Sequence, residues 1–250
     1  MTHPPVVLIT QRVVVFPLRE ERGDYLDQRW FHLFQDLGVD AYAAPNNQPA
    51  AVELYTRIGP DLLVLSGGNN LGPLISRGAV TELADDVAEE RDLVESALLA
   101  LAERDGVAVL GVCRGAQLIA ARMGALLHPD PRHAGTRHTV RRVDGLTVHS
   151  KDLTWGAWPQ HFTVASHHHW VLPTASELPP ELCAVAVADD ETVEAFTDRG
   201  GQTLGIMWHP EREPSPLHPG RSALRRIIEE TRSHKSGCLS PRTPQISRRE

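Results

Sequence analysis

The 250-residue sequence predicts an α/β fold: a mostly parallel central sheet with helices on both faces and extra antiparallel strands in its second half. Three observations predict it. Short, uniformly apolar strand segments alternate with helix-period segments through the first half, as in a parallel sheet buried on both faces. Glycine-bearing turns, Ser66-Gly67-Gly68 and Cys113-Arg114-Gly115, follow two of those strands. They stand at the carboxyl ends, where such sheets collect ligands. Beyond about residue 139 the texture shifts to Thr and Val alternating among polar residues, the pattern of antiparallel strands.

Each element follows from its own residues. Val6–Thr10 (VVLIT) is a short buried strand. Leu26, Trp30, Leu33, Phe34 and Leu37 recur at helical spacing, and Gly38 ends that helix. Val39–Ala43 is a second strand and Asp61–Gly68 a third. Leu83, Val87, Val94, Leu98 and Leu101 mark one stripe of a long helix closed by Asp105-Gly106. Val107–Val112 is the fourth strand, and a helix follows Cys113 to about Met123. The β-rich segments of the second half lie around Thr139–Val148, Phe162–Ala165, Ala184–Ala188, Thr192–Thr197 and Thr203–Trp208. A helix over Arg221–Thr231 closes the body. Neither an internal repeat nor a domain linker is visible.

Charge and composition exclude several functions. The 25 basic and 32 acidic residues leave −7, which argues against nucleic acid as a partner. Three cysteines (Cys113, Cys183, Cys238) form no disulfide framework, so free thiols in a reducing cytoplasm are expected. The opening MTHPPVVLIT lacks the basic start and long apolar core of a signal peptide. No apolar run approaches the roughly 18 residues that span a bilayer. From Thr231 onward five Lys/Arg stand against one acid, with one Leu and one Ile. Such a segment cannot offset its ordering entropy, so residues 1–232 are expected to form the domain and 233–250 a disordered basic tail.

The chemistry concentrates at Gly111-Val112-Cys113-Arg114-Gly115. This is a G-x-nucleophile-x-G pattern, with Cys on a sharp strand-to-helix turn that lifts its side chain above the sheet. The helix N-terminus favours a thiolate, and the Arg114 N–H is free to face a developing oxyanion. A buried structural cysteine is the other role open to it. A thiolate nucleophile needs a base and an orienting group, and His209-Pro210-Glu211 supplies both after the apolar strand Leu204–Trp208. In extended backbone, residues i and i+2 point the same way, which puts Glu211 within reach of the imidazole.

LGVCRGAQ, followed about a hundred residues later by MWHPE, resembles the class I glutamine amidotransferase-like superfamily, with its Cys…His…Glu chain order. Within it, ERDLVES, CRGAQ and SHHHW are closest to the γ-glutamyl-γ-aminobutyrate hydrolase branch. ITQR, LDQRW and PN also resemble the γ-glutamyl-CDP-amidate hydrolases. The resemblance implies a flavodoxin-like sheet and a thioester mechanism at Cys113, His209 and Glu211. It implies oxyanion-hole donors at Gly67 or Gly68 and Arg114. It also implies contacts to the glutamyl group from Gln117, Ser166, His168 and His169. Ala165 stands where that branch usually has Asn, Trp170 where it has Gln, and Asn69-Asn70 where an acid is common, which puts the leaving group in doubt. The expected activity is hydrolysis of a γ-glutamyl amide. A glutaminase subunit feeding ammonia to a separate synthase and a non-catalytic binding protein are the alternatives. The expected partner is a small molecule; a homodimer is left open.

No metal or cofactor is expected. In a strand, His167 and His169 face one side and His168 the other, with no Cys or carboxylate at ligand spacing. His133, His138, His149 and His161 are scattered along the chain. Trp155, Trp158 and Trp170 are open to two roles, stacking on a substrate or packing a loop. Ala165 and Trp170 together suggest a cleft rim that is smaller on one side and aromatic on the other.

Overall fold

The structure, a computed structural model, describes residues 3–76, 86–145 and 158–237. In chain order it contains β1 (Val6–Thr10), β2 (Arg12–Phe16), β3 (Glu21–Tyr25), α1 (Arg29–Leu37), β4 (Asp40–Ala44), α2 (Gln48–Ile58), β5 (Leu62–Leu65) and α3 (Pro73–Ser76). It continues through α4 (Glu89–Asp105), β6 (Ala108–Val112), α5 (Arg114–Arg122), β7 (His128–Pro129), β8 (Ala134–Arg142), β9 (His161–His167) and β10 (Trp170–Val171). β11 (Leu182–Ala188), β12 (Val193–Asp198), β13 (Thr203–Ile206) and α6 (Pro219–Gly237) complete it. Nine strands form one sheet in the order β4-β1-β5-β6-β13-β12-β11-β8-β9. The first five pair in parallel; β12, β11, β8 and β9 extend the sheet antiparallel.

Strand period and burial explain the layers. In β1, β5 and β6, Val7, Ile9, Leu62, Val64, Leu110 and Val112 enter one core with α1 and α6. Leu8, Leu63, Leu65 and Val109 enter the other, with α2, α4 and α5. Both faces of β1, β5, β6 and β13 are covered, which is why these strands read as apolar runs, while the edge strand β4 is partly exposed. In α1, Trp30, Leu33, Phe34 and Leu37 are the buried stripe, and Gly38 caps the helix in the left-handed region.

The structure departs from expectation in places with physical reasons. The long helix begins at Glu89, and Val87 instead bridges to Asn70. The N-terminal turns of α4 bury Arg91, Asp92 and Glu95, so its buried face is charged before it is apolar. The β2–β3 hairpin and α2 were not expected: the hairpin is largely exposed, and α2 buries only Ala51 and Tyr55. β8 starts at Ala134, and α6 runs past Thr231 to Gly237. Leu83, His149, Trp155, the end of the Thr139–Val148 segment and Cys238 lie outside the described residues. Among those described, no helix is long and apolar enough to cross a membrane.

Gly115 is where α5 meets β5 most closely: a Cβ there would lie 2.1 Å from the Leu65 carbonyl oxygen. Gly115→Ala should lower unfolding free energy by about 3 kcal/mol in urea titrations. Gly23→Ala, whose nearest neighbour would be an ordinary 3.5 Å away, should change it by less than about 0.5 kcal/mol.

Candidate active site

β6 turns into α5 at Cys113, whose φ of 53° lies in the left-handed region that an L side chain seldom adopts. The corner is held from both sides. The Cys113 N–H donates to the Ile206 carbonyl at 2.8 Å, and the Gln117 N–H donates to the Cys113 carbonyl at 3.0 Å. The flanking glycines permit it: a Cβ at Gly111 would lie 2.6 Å from Ile119 Cδ1, and one at Gly115 would strike β5. Cys113 itself is buried. Arg114 opens α5, so its N–H has no partner within the helix.

Three residues past β13, His209 enters the same space. Its Nδ1–H donates to Glu211 Oε1 at 2.7 Å, and both residues are buried. Glu211 lies in a tight turn over Pro210–Arg212 rather than in extended backbone, yet the contact forms as the i, i+2 spacing requires. Burial disfavours the imidazolium, but Cys113 and Glu211 outweigh it and raise His209 to about 9. Gly67 fits against both: a Cβ there would lie 2.6 Å from the His209 ring and 3.4 Å from the Cys113 Cβ.

The glycine loop is gripped from inside. Fully buried Arg91 donates to the Ser66 carbonyl at 2.7 Å, the Gly67 carbonyl at 3.1 Å and Asn69 Oδ1 at 3.3 Å. A trans peptide sets C=O and N–H in opposite directions, so this grip aims the Gly68 N–H away from Arg91. Asn69 completes the clasp by donating to the Val13 carbonyl and accepting from the Val13 N–H. Arg91 also pairs with Glu95 at 2.8 Å, while Arg114 pairs with both Glu95 and Asp92. Burial pushes Arg91 down to about 10 and also raises Asp92. Glu95, touched by both guanidiniums, is lowered despite complete burial.

A cleft of about 350 Å³ opens over Cys113, Arg114, Gln117 and His209, with Gly68, Asn69, His167 and His169 on its walls and Arg12 and Arg212 in its lining. A hollow of about 170 Å³ continues past Gly67 to Tyr25 and Asp27. The structure therefore brings together Cys113, His209, Glu211, Gly67, Gly68, Arg114, Gln117 and His169. His168 also lines the cleft, though it is largely buried with its Nδ1–H on the Trp170 carbonyl, whereas Ser166 is fully buried and outside the cleft lining. Gln117 donates to that same carbonyl at 2.8 Å. The expected aromatic rim is corrected: the Trp170 ring is buried in the core, as is Trp158 against Trp208. Arg12, Arg91, Arg212 and His167 were missed. For Arg91 the signal was present, a charged i, i+4 pair with Glu95 inside ERDLVES. A larger hollow of about 530 Å³ lies at the opposite ends of the parallel strands, by Asp61, Val107 and Gln202. Its lining holds no nucleophile and base together.

A family model described as Peptidase C26 matches residues 5–211. The chain is 29% identical over 206 residues to the γ-glutamyl-CDP-amidate hydrolase of Campylobacter jejuni, covering 82% of this chain and 89% of that one. It is 28% identical over 195 residues to a glutamine-hydrolysing GMP synthase subunit of Methanosarcina barkeri, covering 78% and 85%. Among solved structures, a glutamine amidotransferase from Thermotoga maritima superposes with a TM-score of 0.58 at 17% identity, covering 96% of this chain and 88% of that one. That likeness carries the fold alone.

The raised imidazole gives a test of the site. In NMR titrations His209 should show a value near 9 in the wild type and fall toward 6.5 in Cys113→Ala, which removes a group that favours its proton. The folded value lies above the ordinary one, so His209 stabilises the fold fully below about pH 6.5 and loses that contribution as pH rises through about 9. The stability difference between wild type and His209→Ala should shrink across that window.

Proposed function

The chain belongs to the Peptidase C26 family of class I glutamine amidotransferase-like hydrolases, and from that premise we propose that it cleaves γ-glutamyl amides with Cys113 as nucleophile. The observation that supports this most is the convergence of a strained, glycine-bracketed cysteine, a buried His209–Glu211 pair and the Gly67-Gly68 loop at one cleft floor. His209 takes the Cys113 proton, and the thiolate attacks the γ-carbonyl carbon. The oxyanion is held by N–H groups of the glycine loop and Arg114, each worth about 3 kcal/mol. The C–N bond breaks, the amine leaves with the proton from His209, and a thioester remains. Water, deprotonated by His209, then releases glutamate and the free thiol. Glu211 orients the imidazole and stabilises its charged form.

The cleft lining supports an anionic leaving group. Arg12 and Arg212 lie in it with His167 and His169, against one carboxylate, Asp86, which is 3.3 Å from Arg12. A phosphoramidate, as in the substrate named for the Campylobacter relative, fits that charge, as does an amine carrying a carboxylate. The purified protein alone should release glutamate from a γ-glutamyl phosphoramidate or γ-glutamyl-γ-aminobutyrate faster than from glutamine, and slowest from cationic γ-glutamyl-putrescine. Silence on all of these, with glutaminase activity only on adding a synthase, would replace this reading by an ammonia-delivering subunit. Glutamate bound without turnover would favour the non-catalytic alternative.

Cys113→Ala should abolish turnover while leaving the unfolding midpoint intact. His209→Ala should lower kcat at least about tenfold more than Glu211→Gln, because one moves the proton and the other only holds the ring. Single-turnover kinetics on the same substrate panel would check both.

A further inference from the structure

The fold collects histidines that the sequence leaves scattered. His133 Nδ1, His138 Nε2 and His168 Nε2 lie 3.3, 3.4 and 3.5 Å from one atom, Oε1 of Glu194. Glu194 is 1% exposed and His133 and His168 are each 4% exposed. The three facing nitrogens and Glu194 Oε2 lack hydrogen-bond partners. Buried polar atoms are almost always satisfied, so four orphans in one place need an account.

Tautomers sharpen it. His168 Nδ1 faces the Trp170 carbonyl at 3.0 Å, and a carbonyl can only accept, so that nitrogen carries the hydrogen. His133 Nε2 faces Asp190 Oδ2 at 3.0 Å and donates likewise. In their neutral forms both rings therefore aim lone pairs at a carboxylate, an arrangement that needs positive charge between them, either an extra proton on a ring, which Glu194 and Asp190 favour on His133, or a metal ion. A second ring nitrogen donating to a carboxylate or carbonyl is the outer-shell pattern of metal-bound histidine.

Spacing agrees. Tetrahedral ligands about 2.0–2.1 Å from a Zn²⁺ are about 3.3–3.4 Å from one another. The distances from Glu194 Oε1 to His133 and His138 fall on that edge length, and the donor atoms of these three residues all lie within 4.8 Å of each other, a group that His168 does not join. The backbone is shaped for it as well. Ala186 pairs with Ala195 and Val187 with Val193, so Glu194 is the extra residue of a β-bulge. Bulges re-aim side chains.

We propose that Glu194, His133 and His138 form a three-donor binding site for a divalent cation of the zinc class, distinct from the cleft nucleophile and its base, with His168 beside it against Glu194. The donors come from the turn before β8, from β8 and from β12. A bound ion would tie these parts of the antiparallel extension together around Glu194, against which His168 of the cleft-lining segment 167–169 also packs.

Untagged, full-length protein should carry about one zinc per chain by inductively coupled plasma mass spectrometry. Alternatively, after chelator treatment, it should take up one Co²⁺ with the visible bands of tetrahedral nitrogen and oxygen ligation, and melt at higher temperature with the ion than without. Glu194→Gln should abolish uptake, and Asp190→Asn should weaken it by about 10–100-fold. Cys113→Ala should bind as wild type does, which separates this site from the thiol. Should Glu194→Gln fail to fold, the Co²⁺ spectrum of the wild type still decides, since a sulfur charge-transfer band would place the ion at Cys113 instead. No metal as purified together with no stoichiometric Co²⁺ uptake would overturn the proposal, as would equal uptake by Glu194→Gln, and would leave a proton-bridged histidine–carboxylate cluster.

Discussion

Two guanidiniums and two carboxylates meet buried inside the molecule: Arg91 on Glu95, and Arg114 on Glu95 and Asp92. This neutral quartet ties together the end of β1, the glycine loop and the turn that carries Cys113. Arg114 directly follows Cys113. Arg91 holds the carbonyls of the glycine loop. Glu95 accepts from Thr10 at the end of β1, and the Thr10 hydroxyl accepts from the Ser66 N–H. Asp92 accepts from the Gly72 N–H, just beyond the loop. Desolvating four charges is costly, and an apolar core of equal volume would be at least as stable. Removing any one member, however, would strand its partners at about 3–5 kcal/mol. What the quartet provides is direction: it points backbone N–H groups where an apolar core could only fill space.

Cys113 draws on that rigidity. A non-glycine residue in the left-handed region is strained by about 1–3 kcal/mol and persists only where its surroundings leave no alternative. Here β6 is bracketed by β5 and β13, and α5 packs so closely on β5 that no side chain fits at Gly115. The strain is carried by the most buried part of the sheet. His209 approaches from the neighbouring strand, and Gly67 leaves room for its ring beside the thiol.

The antiparallel extension shapes the other wall of the cleft through one carbonyl. Trp170 O accepts from Gln117 on α5 and from His168, so the segment 167–170 is fastened to both α5 and the histidine cluster. Gln117 is thus spoken for in part by structure. All three histidines of 167–169 line the cleft, His168 buried and its two neighbours exposed.

Local order was legible in the sequence by itself. Apolar runs marked β1, β5 and β6; the segments after Gln28 and Cys113 marked α1 and α5; G-x-Cys-x-G and His-Pro-Glu marked the candidate nucleophile, base and orienting acid. These depend on neighbours within a few residues, where spacing dictates direction. Tertiary structure alone decided what depends on convergence: that the charged face of α4 turns inward on the glycine loop, that Arg12 and Arg212 reach the cleft, and that Trp170 is core rather than rim. It alone gathered His133, His138, His168 and Glu194. Those four stand on separate strands and turns, and the distance between them is set by strand order and by one bulge in β12, neither of which leaves a periodic trace in the chain.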